Sequence, residues 1–325
     1  MPCYKPMEAW YAKEVNASGK RSLVFSPKYA LQPDDPITIS CGQCVGCRLE
    51  RSRQWAVRCM HEAQMHENNC FITLTFSPEG LDRRNKEFEE QERKKPDSVV
   101  GWSPVGVHPR DYQLFMKRLR KKFGKGARYF YCGEYGEKNS RPHYHACLFN
   151  FDFVDKRLFK MSNDIPLYVS EELERLWPYG FATIGDVTFE SAAYVARYVM
   201  KKVNGKQAEE DGTYWRMDSE TGEGFQVKPE FCAMSRRPGI GKPWFEQFKK
   251  DVYPNDYVVL RGKKVRPPKY YDKLLEQEDA YALDDIKMAR VEKAYQWVDE
   301  QSPERLAARE KCKLVQLERL VRPLE

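Results

Sequence analysis

Arg141-Pro142-His143-Tyr144-His145-Ala146-Cys147-Leu148-Phe149 is the stretch whose reading decides the fold. Aromatic and small apolar residues fill it, a polar loop with a proline feeds it, and it reads as a β-strand. Alternate side chains of a strand share a face, so His143 and His145 point the same way, about 7 Å apart along the strand. Two neutral imidazoles on one face can hold one divalent ion. Two unrelated half-buried histidines are the alternative. The same alternation puts Cys147 and Phe149 on the histidine face, and Tyr144, Ala146 and Leu148 in a core beneath helices.

Working outward, residues 128–134 form a second strand, and the polar loop 136–141 makes the two a hairpin. Glu134 ends that strand, nine residues before His143, and is the first candidate for a third ligand. Glu137, in the loop, is the reserve. Two histidines and one carboxylate leave coordination positions open for phosphate oxygens and suit Mg2+ or Mn2+. Residues 70–76 and 181–187 read as further strands. Residues 49–66, 109–123, 171–177 and 190–202 read as helices.

The helix over 190–202 carries Tyr194-Val195-Ala196-Arg197-Tyr198-Val199-Met200-Lys201-Lys202. Tyrosines four apart lie on one helical face. Lys201 shares that face, and Lys202 sits one turn beyond Tyr198. A phenol pair beside an ammonium suits attack on phosphorus, with lysine and metal stabilising the charge that develops. A core aromatic stripe is the competing reading, although Val195 and Val199 can supply the core face.

The run Cys41-Gly42-Gln43-Cys44-Val45-Gly46-Cys47-Arg48 holds two successive C-x-x-C spacings. Its thiolates can reach one Zn2+ or other metal, with Cys3, Cys59 or His61 as fourth ligand. A turn with reduced cysteines is the alternative. The ten cysteines of the chain cluster, which disfavours a disulfide framework.

At 325 residues the chain allows one large domain or two modest ones. Its apolar share is 41%, its charged share 32% and its formal net charge +7, which suits an anionic partner. Lys117, Arg118, Arg120, Lys121 and Lys122 on the helix over 109–123 are candidate phosphate contacts, as is the basic stretch 236–269. No apolar run approaches the ~18 residues of a membrane span, and no secretory signal opens the sequence. Gly239-Ile240-Gly241-Lys242 is too short for a Walker loop and meets Pro243, so no helicase domain is expected. Residues 1–40 read as an extended arm with one short strand at 22–25. Residues 82–98 read as an exposed loop or a frayed helix, 152–170 as an irregular connection and 203–223 as a mobile loop. From Asp272 the chain turns helical, with Leu274, Tyr281, Ile286, Met288, Val291, Tyr295 and Trp297 available to dock a helix.

A strand like 71–76, a His-x-His strand and a later Tyr-x-x-x-Tyr helix with lysine, in that order, resemble the HUH endonuclease superfamily. The pattern is most similar to the rolling-circle replication initiators of microvirus-group phages, and Cys41–Arg48 followed by Arg53-Gln54-Trp55 resembles their gokushovirus-type branch. The resemblance covers about residues 1–205. It implies an α+β, ferredoxin-like core, with a central antiparallel sheet and helices on one face. A Cys-rich N-terminal arm (1–66) would precede this core (67–205), and a basic linker with a helical extension (206–325) would follow. It implies a metal held by His143, His145 and Glu134, nucleophiles at Tyr194 and Tyr198, and Lys201 or Lys202 neutralising phosphate. Thr73 and Thr75 would line a DNA cleft. The implied activity nicks one strand of circular phage DNA at an origin, joins the 5′ phosphate to tyrosine and later reseals a circle. A host helicase and polymerase would assist in the bacterial cytoplasm. A non-enzymatic zinc-knuckle nucleic-acid-binding protein and a related transposase or relaxase remain as alternatives.

Overall fold

The computed structural model describes residues 3–17, 19–93, 105–136, 140–162, 165–201, 212–217 and 221–319, with the backbone alone at 91–93 and 198–201. The chain forms two compact units, residues 1–51 with 284–321, and residues 52–283.

In the first unit β1 (Met7–Val15) lies between β2 (Arg21–Val24) and β3 (Ile37–Ile39), all antiparallel. The expected arm with one short strand is thus a small sheet. β1 escaped notice because Ala9 is its one fully buried side chain, which leaves no apolar alternation to read. α1 (Val45–Ala63) begins inside the cysteine run, before the expected start at 49.

The second unit is built on a seven-stranded sheet. In chain order come β4 (Asn69–Thr75), α2 (Pro78–Arg93), α3 (Pro109–Phe123), β5 (Arg128–Tyr135), β6 (Pro142–Phe149), β7 (Arg157–Ser162), β8 (Ile165–Val169), α4 (Glu171–Leu176), β9 (Ala182–Gly185) and α5 (Phe189–Lys201). A small hairpin, β10 (Trp215–Met217) and β11 (Gly224–Gln226), precedes β12 (Phe231–Met234). The sheet order is β12-β5-β6-β4-β9-β8-β7, and every neighbouring pair is antiparallel.

Helices cover both faces of this sheet, not one. Tyr144, Ala146 and Leu148 of β6 join Ile72 and Leu74 of β4 in a core with Tyr112, Phe115, Met116 and Leu119 of α3 and Leu173 and Leu176 of α4. On the other face Cys147, Phe149, Phe71 and Phe130 pack with Ala56 and Cys59 of α1 and with Ala192, Tyr194 and Val195 of α5. The cause is in the strands: the histidine face of β4 and β6 also carries Phe71, Cys147 and Phe149, so both faces need cover. Each large apolar side chain taken fully out of water contributes roughly 1.5–3 kcal/mol. Tyr144 also pins α3, since its hydroxyl donates to Asp111 Oδ2 at 2.6 Å and accepts from the His108 amide at 2.9 Å.

Segments read as loop or irregular hold regular elements: β10 (Trp215–Met217) lies in 203–223, of which 203–211 and 218–220 fall outside the described residues. Most of 82–98 belongs to α2. Its inward stripe is Leu81, Arg84 and Phe88, and an arginine in the middle hides the helical period. Arg84 is 3% exposed, with its Nε 3.6 Å from Asp111 Oδ2 and an Nη donating to Gly106 O at 2.5 Å. Within 152–170, Arg157–Ser162 and Ile165–Val169 pair as β7 and β8. β7 is the sheet edge, where exposed Leu158, Phe159 and Met161 are tolerated, and Pro166 lies on β8 away from its one pairing with β9 at Tyr168.

Helices Lys269–Glu278, Ala280–Tyr295 and Pro303–Glu318 follow, within the expected helical region. Of the residues expected to dock there, Leu274 and Ile286 are buried, whereas Tyr281, Met288, Val291, Tyr295 and Trp297 are exposed. The basic stretch 236–269 contains the helix Lys242–Val252. Within the second unit His61 of α1 stacks on Trp244 at 3.5 Å and its Nδ1 lies 2.9 Å from the Tyr271 hydroxyl.

Candidate metal centre and tyrosine helix

The β5–β6 register sets Glu134 opposite His143, and the β4–β6 register sets Thr73 opposite His145 and Thr75 opposite His143. Glu134 Oε1 lies 2.6 Å from His143 Nε2 and 2.7 Å from His145 Nε2. Each imidazole is oriented from behind. His143 Nδ1 donates to the Arg141 carbonyl at 3.1 Å, and His145 Nδ1 is 2.9 Å from Thr73 Oγ1. Both Nε2 atoms therefore face the carboxylate, which is how partners behind a ligating histidine aim its lone pair.

The donor set fits a cation. An imidazole whose Nδ1 carries its proton offers only a lone pair at Nε2. With a cation in place of the Nε2 protons, two such lone pairs and a carboxylate would meet at one point, and the three ligand atoms lie within 4.8 Å of one another. Glu134 is 1% exposed, and its Oε2 is buried with no hydrogen-bond partner. Burial works against ionisation of this carboxyl, but the hydrogen bonds with His143 and then His145 outweigh it and hold its pKa below the usual value.

α5 brings Tyr194 to the same place. Its hydroxyl donates to Glu134 Oε1 at 3.3 Å, and its ring meets the His145 ring edge-on at 4.8 Å. The side chain is 4% exposed, so Tyr194 belongs to the inward stripe of α5 together with Val195 rather than to a separate face. Ser52 Oγ donates to Ala193 O and Cys232 Sγ to Val195 O, which tie this helix to α1 and β12. Tyr198 and Lys201 lie on the last turn of α5, with side chains outside the described residues. Lys202 and Glu137 lie wholly outside them.

Other expected site residues are placed elsewhere. α3 packs on the Tyr144 face of the sheet, opposite His143 and His145. Arg118 donates to Leu176 O, Arg120 to Ala127 O, and Lys122 pairs with Glu172, while Lys117 and Lys121 are exposed. This basic run is therefore not brought to the histidines. Thr73 is a partner of His145, which a cleft-lining reading does not anticipate. Only the strand register, unknown from sequence, reveals it.

In the first unit the sulfurs of Cys3, Cys41, Cys44 and Cys47 also lie within 4.8 Å of one another. Cys3 is thus the fourth member of that set. Cys59 is buried in the core beside α5, and His61 is held by Tyr271.

Among the described residues, no helix is long and apolar enough to cross a membrane. No solved structure matches the chain. The family model for replication-associated protein ORF2/G2P matches residues 69–203, which contain the triad and α5. A replication-associated protein VP4 of Bdellovibrio phage phiMH2K is 32% identical over 281 residues, which is 83% of this chain and 76% of that one. A replication-associated protein ORF2 of Spiroplasma virus 4 is 34% identical over 265 residues, 78% of this chain and 73% of that one. A replication-associated protein ORF4 of Chlamydia phage 1 is 25% identical over 248 residues, 73% of this chain and 53% of that one. With similarity of that extent across most of both chains, and the family match centred on the histidine strand, this chain belongs to the replication-associated proteins of microvirus-type phages.

Proposed function

We propose that the chain initiates rolling-circle replication by nicking one strand of circular phage DNA at its origin. The observation that carries this reading is the Tyr194 hydroxyl on the Glu134 oxygen that both histidines face. The order β5-β6-β4-β9, with α3 between β4 and β5 and α4 before β9, agrees with a ferredoxin-like core of the HUH type.

His143, His145 and Glu134 would hold a divalent cation, Mg2+ or Mn2+, which when bound supplies charge to the scissile phosphate. Tyr194 Oη attacks phosphorus. The bond from phosphorus to the 3′ oxygen breaks, and that oxygen leaves with a proton. The 5′ phosphate stays on tyrosine. The hydrogen bond to Glu134 Oε1 holds Tyr194 Oη beside the place the cation would take, and the phenol proton ends on the leaving 3′ oxygen. Rejoining is the reverse step, with a 3′ hydroxyl attacking the phosphotyrosine. Tyr198, one helical turn on, takes the second cut, and Lys201 or Lys202 neutralises phosphate charge. Unwinding and synthesis fall to a host helicase and polymerase in the bacterial cytoplasm.

The test mixes the protein with a labelled single-stranded origin oligonucleotide and Mn2+. A denaturant-resistant adduct that is lost in Tyr194→Phe supports the reading. Cleavage that survives the double variant Tyr194→Phe, Tyr198→Phe points instead to a water-using phosphodiesterase with packed tyrosines.

A further inference from the structure

The four cysteines of the first unit form a cage that the nicking chemistry does not use. Cys3 Sγ lies 3.5 Å from Cys41 Sγ and 3.9 Å from Cys44 Sγ. Four sulfurs around a zinc ion at about 2.3 Å stand about 3.8 Å apart in a tetrahedron. A disulfide needs about 2 Å, and all four residues are free thiols.

Backbone amides converge on the sulfurs. Cys41 N donates to Cys3 Sγ at 3.2 Å, Tyr4 N to Cys44 Sγ at 3.3 Å, and Gln43 N and Cys44 N to Cys41 Sγ at 3.4 and 3.3 Å. Donors arranged this way stabilise thiolates rather than thiols. Gly42 has φ +74°, which lets the chain turn between the first two cysteines of the run. Arg51 donates to the Gly42 carbonyl at 3.3 Å and brings positive charge to the knuckle. Tyr4 and Leu306 close the cluster with apolar surface.

We propose that Cys3, Cys41, Cys44 and Cys47 bind one zinc ion as a closed tetrathiolate site that fastens the start of the chain to the start of α1. Each thiol gives up its proton on binding. All four positions are sulfur, so no position is open to water or substrate, and the site is structural rather than catalytic. Cys3 sits beside β1 and Cys47 lies in the first turn of α1, so the ion would clamp the two ends of a small sheet that has little core of its own.

The full-length protein, purified without added metal, should carry one zinc per chain by elemental analysis. Cys41→Ser and Cys44→Ser should each lose most of it, while Cys312→Ser, an exposed cysteine of the same unit, should keep it. His143→Ala should also keep it, which separates this ion from any cation at the catalytic triad. Should the serine variants fail to fold, wild-type protein produced with cobalt in place of zinc decides the matter. Intense visible absorption of tetrahedral cobalt with thiolate charge transfer supports the site. A pale octahedral spectrum, iron in place of zinc, disulfides among these cysteines, or zinc retained in both serine variants would overturn it.

Discussion

At the scale of single residues, both histidines of the candidate triad are aimed by something else. His143 is aimed by a carbonyl two residues back, and His145 by a threonine on the next strand. The pair of histidines and Glu134 were legible in the sequence, since strand alternation and a short hairpin suffice to gather them. Thr73 was not legible in its role, because its place opposite His145 depends on the register between strands far apart in the chain. Tyr194 was legible as a chemical group but not as a buried one. Removing the threonine hydroxyl while keeping its shape isolates its contribution. We expect Thr73→Val to weaken Mn2+ binding roughly 10–100-fold, the usual effect of losing the partner behind a metal-binding histidine. Calorimetric titration of Mn2+ into wild-type and variant protein measures it. Equal affinities would mean that strand packing alone orients His145.

At the scale of elements, the strands that read clearly are the ones that alternate or stay apolar throughout, such as β4 and β6. α2 read at most as a frayed helix because its buried stripe is carried partly by Arg84. A charged residue is invisible to a hydrophobic period, yet here it is buried against Asp111 at the start of α3. The β7–β8 hairpin was missed for the opposite reason: edge strands need no buried face, so their side chains carry no pattern. Helices on both sheet faces follow from Phe71, Cys147 and Phe149 sharing the histidine face, and that could have been drawn from the alternation of β4 and β6. Removing one partner of a buried ion pair strands the other. We expect Arg84→Met to cost about 3–5 kcal/mol in urea unfolding. The double variant Arg84→Met, Asp111→Asn should recover part of that loss. No recovery would show that Arg84 acts through its other contacts, such as the Gly106 carbonyl.

At the scale of the whole molecule, the basic run and the candidate site part company. The densest basic run, Lys117–Lys122, sits on the sheet face opposite the histidines, and three of its five cations are engaged within the protein. We therefore expect Lys117→Ala, Lys121→Ala to nick a short single-stranded origin at the wild-type rate and with the wild-type salt dependence. A salt slope reduced by about one per lysine removed would instead place the DNA backbone across α3. The pairing of the first residues with 284–321 in one unit was not legible either, since nothing in the sequence marks Leu306 as a neighbour of Tyr4 and Cys44.

The central claim is that tyrosine on α5, not water, attacks the DNA at the His143–His145–Glu134 site. Its most direct measurement is to trap the protein on an origin oligonucleotide with Mn2+, digest the adduct and locate the modified residue by mass spectrometry. A 5′-phosphonucleotide on Tyr194, or on Tyr198 after a second cut, is the expected result. A cleaved oligonucleotide with a free 5′ phosphate and no modified tyrosine would contradict it.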